Sequence, residues 1–154
     1  MDKIFVKKRN GDKVEYNVEK IHKIICWAIE GIPDVNMSDI EMNARLNIFD
    51  GITTREIHNI LIEAAANLIS VERPSYQFVA SRLLNYALRK DVWGGKNPPK
   101  LYDIITRNVK LKVYDEQILK MYSKEDIDKL DETIDHDRDF IFTYSGIKQL
   151  CDKY

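Results

Sequence analysis

The 154-residue chain has little cysteine, glycine and proline, and each shortage excludes a class of protein. Two cysteines are too few for a disulfide scaffold or a cysteine-rich zinc site. Six glycines and four prolines exclude collagen-like and low-complexity chains. The chain has no apolar run of about 18 residues that would span a membrane, and residues 1–8 lack the apolar core of a signal peptide. The sequence therefore predicts a folded protein of the reducing cytoplasm without a membrane partner.

The charge is nearly balanced overall but unevenly spread. Apolar residues make up 44% of the chain and charged residues 32%, which is enough apolar surface for a core. A net charge of -1 argues against nucleic-acid binding by bulk electrostatics. Residues 1–25 are basic and residues 115–139 are acidic. The basic head is suited to a small polyanion, although a solvated surface explains the same pattern.

The first 31 residues predict a β-hairpin followed by a helix. Residues 3–8 and 13–16 are typical of short strands, and Asn10-Gly11 between them is a strong hairpin signal. Asn17 is a good N-cap for a helix that Gly31 would end.

Three more amphipathic helices are predicted in the next 60 residues. Capping boxes that begin at Ser38 and Thr53 open the second and third helices, and the second is expected to end at Gly51. Pro74 is placed at the first turn of a fourth helix, which ends near Trp93.

Residues 94–99 combine two glycines and two prolines and form the clearest boundary in the chain. The predicted domains are therefore 1–95 and 96–154. The predicted fold is mainly α with a small β-hairpin, in which four helices are capped by the hairpin and followed by a short helical stub. The stub is expected to contain helices over 100–112, 115–121, 124–136 and 144–152.

The sequence offers no complete catalytic or metal site. It contains no Walker loop, no GxGxxG, no Cys-x-x-Cys and no His-Glu-x-x-His. His22, His58 and His136 are far apart in the chain, and the pair of His136 and Asp137 fits a structural network better than a general base. Cys26 is expected on the buried stripe of the first helix. We therefore predict neither catalytic residues nor metal ligands.

Cationic and hydroxyl groups around the hairpin could hold a triphosphate without a P-loop. Lysines neutralise phosphate charge, and helix N-termini donate free backbone N–H groups. Ordinary capping and surface lysines would explain the same residues. The candidate phosphate groups are Lys8, Arg9, Lys20, Thr53, Thr54 and Lys90, and the candidate base contacts are Val6, Tyr16, Ile21 and Ile57.

Several stretches, in order, resemble the ATP-cone, the nucleotide-sensing domain at the N-terminus of many ribonucleotide reductase large subunits. These stretches are residues 6–11, 17–21, 50–58, 74–83 and 88–90, and the resemblance covers about residues 3–93. The remainder resembles the first segment of the catalytic domain of the aerobic class I enzyme, through residues 101–103, 112–115, 134–139 and 142–145.

This resemblance implies an allosteric function. The cone would bind ATP or dATP, together with Mg²⁺, and control the overall activity of a ribonucleoside-diphosphate reductase through its oligomeric state. Its partners would be the remainder of the large subunit and the radical-generating small subunit. Carried over by position, the nucleotide-binding residues are Val6, Lys8, Arg9, Asn17, Lys20, Ile21, Thr54, Ile57, His58 and Lys90.

Three further positions refine this expectation. Val14 and Tyr86 would neighbour the pocket, and Ala87 stands where some relatives carry a histidine involved in the dATP response.

The resemblance also implies that this chain alone is not an enzyme. The catalytic cysteines of the family lie further along the large subunit, and neither Cys26 nor Cys151 matches one of them. The chain is therefore expected to be an N-terminal fragment of such a subunit. Two alternatives remain: a degenerate cone that acts only as a helical subunit-interaction module, and a helical nucleic-acid binder, which the near-neutral charge disfavours.

Overall fold

The computed structural model describes residues 4–45 and 48–154. Within these ranges it confirms the predicted class, because helices dominate and one two-stranded sheet is present. The elements in chain order are β1 (Phe5–Lys7), β2 (Lys13–Glu15), α1 (Val18–Ile29), α2 (Met37–Arg45), α3 (Thr54–Ala66), α4 (Tyr76–Trp93), α5 (Leu101–Lys110), α6 (Gln117–Met121), α7 (Lys124–Asp131), a 3-10 helix (His136–Ile141) and α8 (Tyr144–Lys153).

The chain divides into two compact units. The first consists of residues 1–88 together with 139–154, and the second of residues 89–138. The division falls within α4, and the first unit is assembled from two stretches that are distant in sequence. The predicted division into domains 1–95 and 96–154 stays a prediction.

β1 and β2 pair as an antiparallel hairpin in which Val6 lies opposite Val14. The Lys8 N–H donates to the Asp12 carbonyl oxygen at 2.8 Å, and the Gly11 N–H donates to the Lys8 carbonyl oxygen at 3.0 Å. Gly11 has φ 91°, a backbone angle that favours glycine. The Asn-Gly signal in the sequence therefore marks the turn correctly.

The other edge of β1 is bonded to the segment that leads into α3. The Lys7 N–H donates to the Ile52 carbonyl oxygen at 2.9 Å, and the Gly51 N–H donates to the Phe5 carbonyl oxygen at 2.8 Å. The Asp50 carboxylate accepts from the Phe5 N–H at 2.7 Å. The hairpin is thus fixed against the N-terminus of α3 by backbone pairing as well as by side-chain packing.

The core of the first unit is formed by residues of β1 and α1 to α4, together with Ile52 in the segment before α3. Tyr76 is its largest fully buried side chain. The Tyr76 hydroxyl accepts from the Asn36 N–H at 2.9 Å and donates to the Asp39 carboxylate at 3.2 Å. Burial raises the pKa of Tyr76, so the hydroxyl stays protonated and ties α4 to the start of α2.

Two predicted helix caps are confirmed. The Asn17 side chain accepts from the Lys20 N–H at 3.3 Å at the start of α1. At α3 the Thr53 hydroxyl accepts from the Glu56 N–H at 3.1 Å, and the Glu56 carboxylate accepts from the Thr53 N–H at 2.8 Å. Both exchanges satisfy backbone donors that have no partner within the helix.

The capping box predicted at Ser38 is wrong. α2 begins one residue earlier, and the Ser38 N–H donates to the Asn36 side-chain oxygen at 2.9 Å, so Asn36 takes the capping role. The Glu41 carboxylate instead lies 2.7 Å from His22 Nε2 on α1. α2 also ends at Arg45 rather than near residue 51, and residues 46 and 47 lie outside the described residues.

Three other expectations about helices need correction. α4 begins at Tyr76, because Pro74 and Ser75 form a turn that precedes it. α7 ends at Asp131, and a 3-10 helix follows it where a longer α-helix was expected. Cys26 is exposed rather than buried, because Ile21, Ile25 and Ala28 set the buried face of α1.

The second unit is held by side-chain caps and by one buried arginine. Asp131 accepts from the Leu101 N–H at 3.0 Å, and Ser123 and Asp126 form a capping box at α7. The Arg89 guanidinium donates to the His136 carbonyl oxygen at 2.7 Å. None of the helices in the described part of the chain has the length and apolar character needed to cross a bilayer.

The capping box at Thr53 predicts a measurable loss of stability. Thr53→Ala removes the side-chain cap and should lower the free energy of unfolding by about 1 kcal/mol. The matched control is Thr54→Ala, because the Thr54 hydroxyl takes no part in the cap. Urea denaturation without nucleotide measures both values. Equal losses in the two variants would contradict a specific role of the cap.

The same box predicts a pH dependence. Hydrogen bonds from the Thr53 backbone N–H and hydroxyl lower the pKa of Glu56 below its ordinary value of 4.5. The stability that the Glu56 carboxylate contributes is therefore present above that ordinary pKa and is lost as the pH falls through the lowered pKa. Glu56→Gln retains an acceptor but does not titrate.

We therefore expect wild type to exceed Glu56→Gln in unfolding free energy at neutral pH. Urea denaturation at pH 7 and at about pH 3 should show that the difference narrows in acid. A difference that stays constant with pH would mean that the Glu56 charge adds nothing to the cap.

Candidate functional site

The candidate site lies where the hairpin meets the start of α3. Backbone pairing of β1 with residues 51 and 52 holds the hairpin turn close to this helix. Three of the predicted base contacts, Val6, Ile21 and Ile57, belong to one buried core cluster. Their exposed fractions are only 5%, 9% and 5%. A base would therefore meet the edges of these side chains rather than an open apolar cleft.

Arg9, a predicted phosphate contact, and His58, a nucleotide contact implied by the family resemblance, lie against each other in the structure. Arg9 Nη2 lies 3.5 Å from His58 Nδ1, which is a long contact between the hairpin turn and α3. Because a guanidinium has donors and no acceptor, Nδ1 accepts in this contact and the imidazole proton is assigned to Nε2. The contact places a permanent positive charge beside a buried imidazole, since His58 is only 9% exposed.

An aromatic cluster adjoins this pair. The Tyr86 ring of α4 lies 5.3 Å from His58 at an interplanar angle of 73°, which is an edge-to-face arrangement. Burial raises the pKa of Tyr86, and the nearby charge of Arg9 offsets part of that rise. The Trp27 ring of α1 lies 5.6 Å from Tyr86. Sequence reasoning placed Tyr86 beside the pocket but did not identify Trp27, because its position on α1 resembles that of any half-buried aromatic residue.

The N-termini of α1 and α3, which lie near the hairpin, are already capped by side chains of the protein. The side-chain oxygen of Asn17 accepts from a backbone N–H of α1, and the Thr53 hydroxyl is committed to the capping box of α3. Thr54, the first residue of α3, makes no hydrogen bond through its hydroxyl among the described residues. The Thr54 hydroxyl at this end of α3 is therefore available to a ligand, and its role in nucleotide binding stays a prediction.

The three predicted lysines are not shown to converge. Lys8 lies just after β1 and Lys20 in the first turn of α1, and both side chains are exposed. Lys90 lies near the C-terminal end of α4, in the second compact unit. Their convergence on one anion stays a prediction.

A separate cavity of about 160 Å³ lies between α1 and α2. Tyr16 and Ile21 are among its lining residues, together with the pair of His22 and Glu41. Burial raises the pKa of Tyr16. Val6 and Ile57 do not line this cavity in the part of the chain that the structure describes, and the meeting of the four candidate base contacts on one ligand stays a prediction.

No metal centre is evident among residues 4–45 and 48–154. These ranges contain no group of three histidine, cysteine, aspartate or glutamate side chains that could hold a metal ion.

Relatives of this chain include reductase subunits of bacteria and of a phage. A relative named ribonucleoside-diphosphate reductase subunit alpha from Buchnera aphidicola is 46% identical over 151 residues, which cover 98% of this chain and 20% of the relative. The ribonucleoside-diphosphate reductase 1 subunit alpha of Escherichia coli is 42% identical over 151 residues, and the subunit alpha of Enterobacteria phage T4 is 44% identical over 154 residues. The chain spans about 20% of the length of these relatives.

The family described as the ATP cone domain matches residues 4–91. The matched region contains the hairpin, the capping box of α3, the contact of Arg9 with His58 and the Tyr86 ring. Since the match covers more than half of the sequence and includes every element that forms the candidate site, the chain belongs to the ATP-cone family.

Proposed function

We propose that this chain is the effector-binding region of a ribonucleoside-diphosphate reductase large subunit, where it binds ATP or dATP and regulates overall activity. The observation that carries the proposal is the contact of Arg9 with His58 at 3.5 Å, inside the region that matches the ATP cone domain. The contact unites a cation of the hairpin with a ring of α3, and these are two groups that the family resemblance assigns to the nucleotide.

The charges where the hairpin turn meets the start of α3 suit a polyphosphate. The Arg9 guanidinium presents several N–H donors that can engage two phosphate oxygens at once, and Lys8 adds a mobile positive charge beside it. The exposed Lys8 side chain can turn toward an anion without disturbing the hairpin, because Lys8 takes part in the turn through its backbone N–H and carbonyl oxygen. Thr54 supplies a hydroxyl at the N-terminal end of α3, where the helix dipole favours negative charge.

The base would rest against apolar edges rather than in a deep pocket. Val6, Ile21 and Ile57 are mostly buried and already packed together. A nucleotide would therefore gain its affinity mainly from its phosphates, and the accessible edges of these three side chains would add contact area for the base. Mg²⁺ would arrive with the nucleotide and be held by phosphate oxygens, since the described residues contain no carboxylate cluster for it.

Regulation would work through assembly of the intact enzyme. A ligand shifts an equilibrium between two assemblies only by its difference in affinity for them, and typical coupling energies are about 1–3 kcal/mol. ATP and dATP differ by one ribose hydroxyl, so a different response requires contacts or packing at the ribose. We propose that the two effectors favour different oligomeric states of the large subunit, together with its radical-generating small subunit.

A second function is favoured by one observation. Three of the candidate base contacts, Val6, Ile21 and Ile57, are nearly buried in the core, and the side-chain oxygens of Asn17 and Thr53 are already used as caps. This arrangement also suits a degenerate cone that serves only as a helical subunit-interaction module. Such a module would bind its partner subunit equally well with and without nucleotide, whereas an effector site would not.

Nucleotide binding should raise thermal stability. Effector at about one hundred times its dissociation constant should stabilise the fold by about 2.7 kcal/mol, which corresponds to a rise in melting temperature of several degrees. Titration calorimetry with ATP and with dATP gives the stoichiometry and the preference. An unchanged melting temperature with both nucleotides at millimolar concentration would leave the interaction module as the better description.

Lys8→Ala should abolish most of this thermal shift, because it removes a phosphate contact from an exposed side chain. The matched control is Lys23→Ala, an exposed lysine of α1 in the same basic head that was not assigned to the site. Lys23→Ala should shift like wild type. If both variants respond to ATP like wild type, Lys8 does not contact the nucleotide.

A further inference from the structure

Phe140 reaches the aromatic cluster of the candidate site from outside the region that matches the family. The match ends at residue 91, whereas Phe140 lies in the 3-10 helix that precedes α8. Its ring nevertheless lies 5.4 Å from the Trp27 ring at an interplanar angle of 77°, which is an edge-to-face contact. Both residues belong to the first compact unit.

A hydrogen bond fixes the same segment on α4. The side-chain amide of Asn85 donates to the Asp139 carbonyl oxygen at 3.0 Å. Asn85 is 7% exposed, so this polar contact is shielded from water. Residues 139 and 140 are therefore attached to α1 through Trp27 and to α4 through Asn85.

The rings form a continuous series toward the hairpin. Trp27 contacts Tyr86 at 5.6 Å, and Tyr86 contacts His58 at 5.3 Å. His58 in turn lies 3.5 Å from the Arg9 guanidinium. Because protein interiors are close-packed, a change in the position of one ring must be accommodated by the next.

We propose that Phe140 is a positioning residue of the effector site. By fixing Trp27, it holds Tyr86 and His58 in the orientation that presents Arg9 to the phosphates. This proposal rests on the proposed function, because it concerns the affinity of the same site for ATP. By thermodynamic linkage, a nucleotide whose binding depends on this arrangement must also stabilise the contact of Phe140 with Trp27. The segment that leads into α8 would thereby respond to the effector.

The physical basis is preorganisation. When only a fraction of the molecules holds the competent arrangement, the apparent affinity falls by that fraction. Loss of Phe140 would leave Trp27 and Tyr86 free to repack, and the Arg9 contact with His58 would be populated less often. The consequence is weaker binding through a residue that does not itself contact the nucleotide.

The test compares Phe140→Leu with Phe142→Leu in the 154-residue chain. Phe142 is 42% exposed and makes no aromatic ring contact among the described residues, so it is a matched control two positions away. Titration calorimetry should give an ATP dissociation constant at least about fivefold higher for Phe140→Leu, and a wild-type value for Phe142→Leu. A wild-type affinity in Phe140→Leu, or equal losses in both variants, would overturn the positioning role.

A double substitution separates positioning from general destabilisation. If Phe140 acts through Trp27, Phe140→Leu should add little to the loss of ATP affinity in a Trp27→Leu background. Additive losses would overturn the proposed route. Asn85→Ala, which removes the second anchor without altering the ring series, should weaken ATP binding in the same direction. An unchanged affinity in Asn85→Ala would also count against the proposal.

The wild-type titration distinguishes the two levels of failure. If the wild-type chain does not bind ATP, the proposed function itself fails, and the positioning role fails with it. If wild type binds ATP and Phe140→Leu binds equally well, the effector function stands and only the positioning role is lost.

Discussion

The arrangement of the candidate site depends on the pairing of β1 with the segment before α3. Two backbone hydrogen bonds, from Lys7 to Ile52 and from Gly51 to Phe5, fix the hairpin in register with this segment. A two-stranded hairpin is marginal by itself in water. The pairing with residues 51 and 52 holds the hairpin against the start of α3. Arg9 therefore contacts His58, although the two residues are 49 positions apart.

Much of the fold could be predicted from local signals, because those signals act over short distances. The Asn-Gly turn, the cap at Asn17 and the box at Thr53 each depend on neighbouring residues, and the structure contains all three. The prediction was wrong at Ser38, where the required serine and glutamate are present but tertiary partners compete. Asn36 caps that helix, and Glu41 pairs with His22 across to α1.

The site could be predicted only in part. The residue types and their order along the chain identify Arg9 and Thr54 as candidates, whereas His58 was a candidate only through the resemblance to the ATP-cone. The structure places Arg9 against His58. The contacts of Trp27 with Tyr86 and Phe140 join three segments that are remote in sequence, so no periodicity or motif could indicate them. The exposure of Cys26 was missed for a related reason, since the buried face of α1 is set by what packs against it.

The first compact unit is discontinuous, because residues 139–154 complete what residues 1–88 begin. During synthesis the unit cannot become whole until residues 89–138 have been made and the later segment has left the ribosome. At about 5–20 residues per second, this imposes a delay of several seconds. During that time Trp27 lacks its contact with Phe140. The hairpin and the first helices of the nascent chain must therefore stay folded without the segment that carries Phe140.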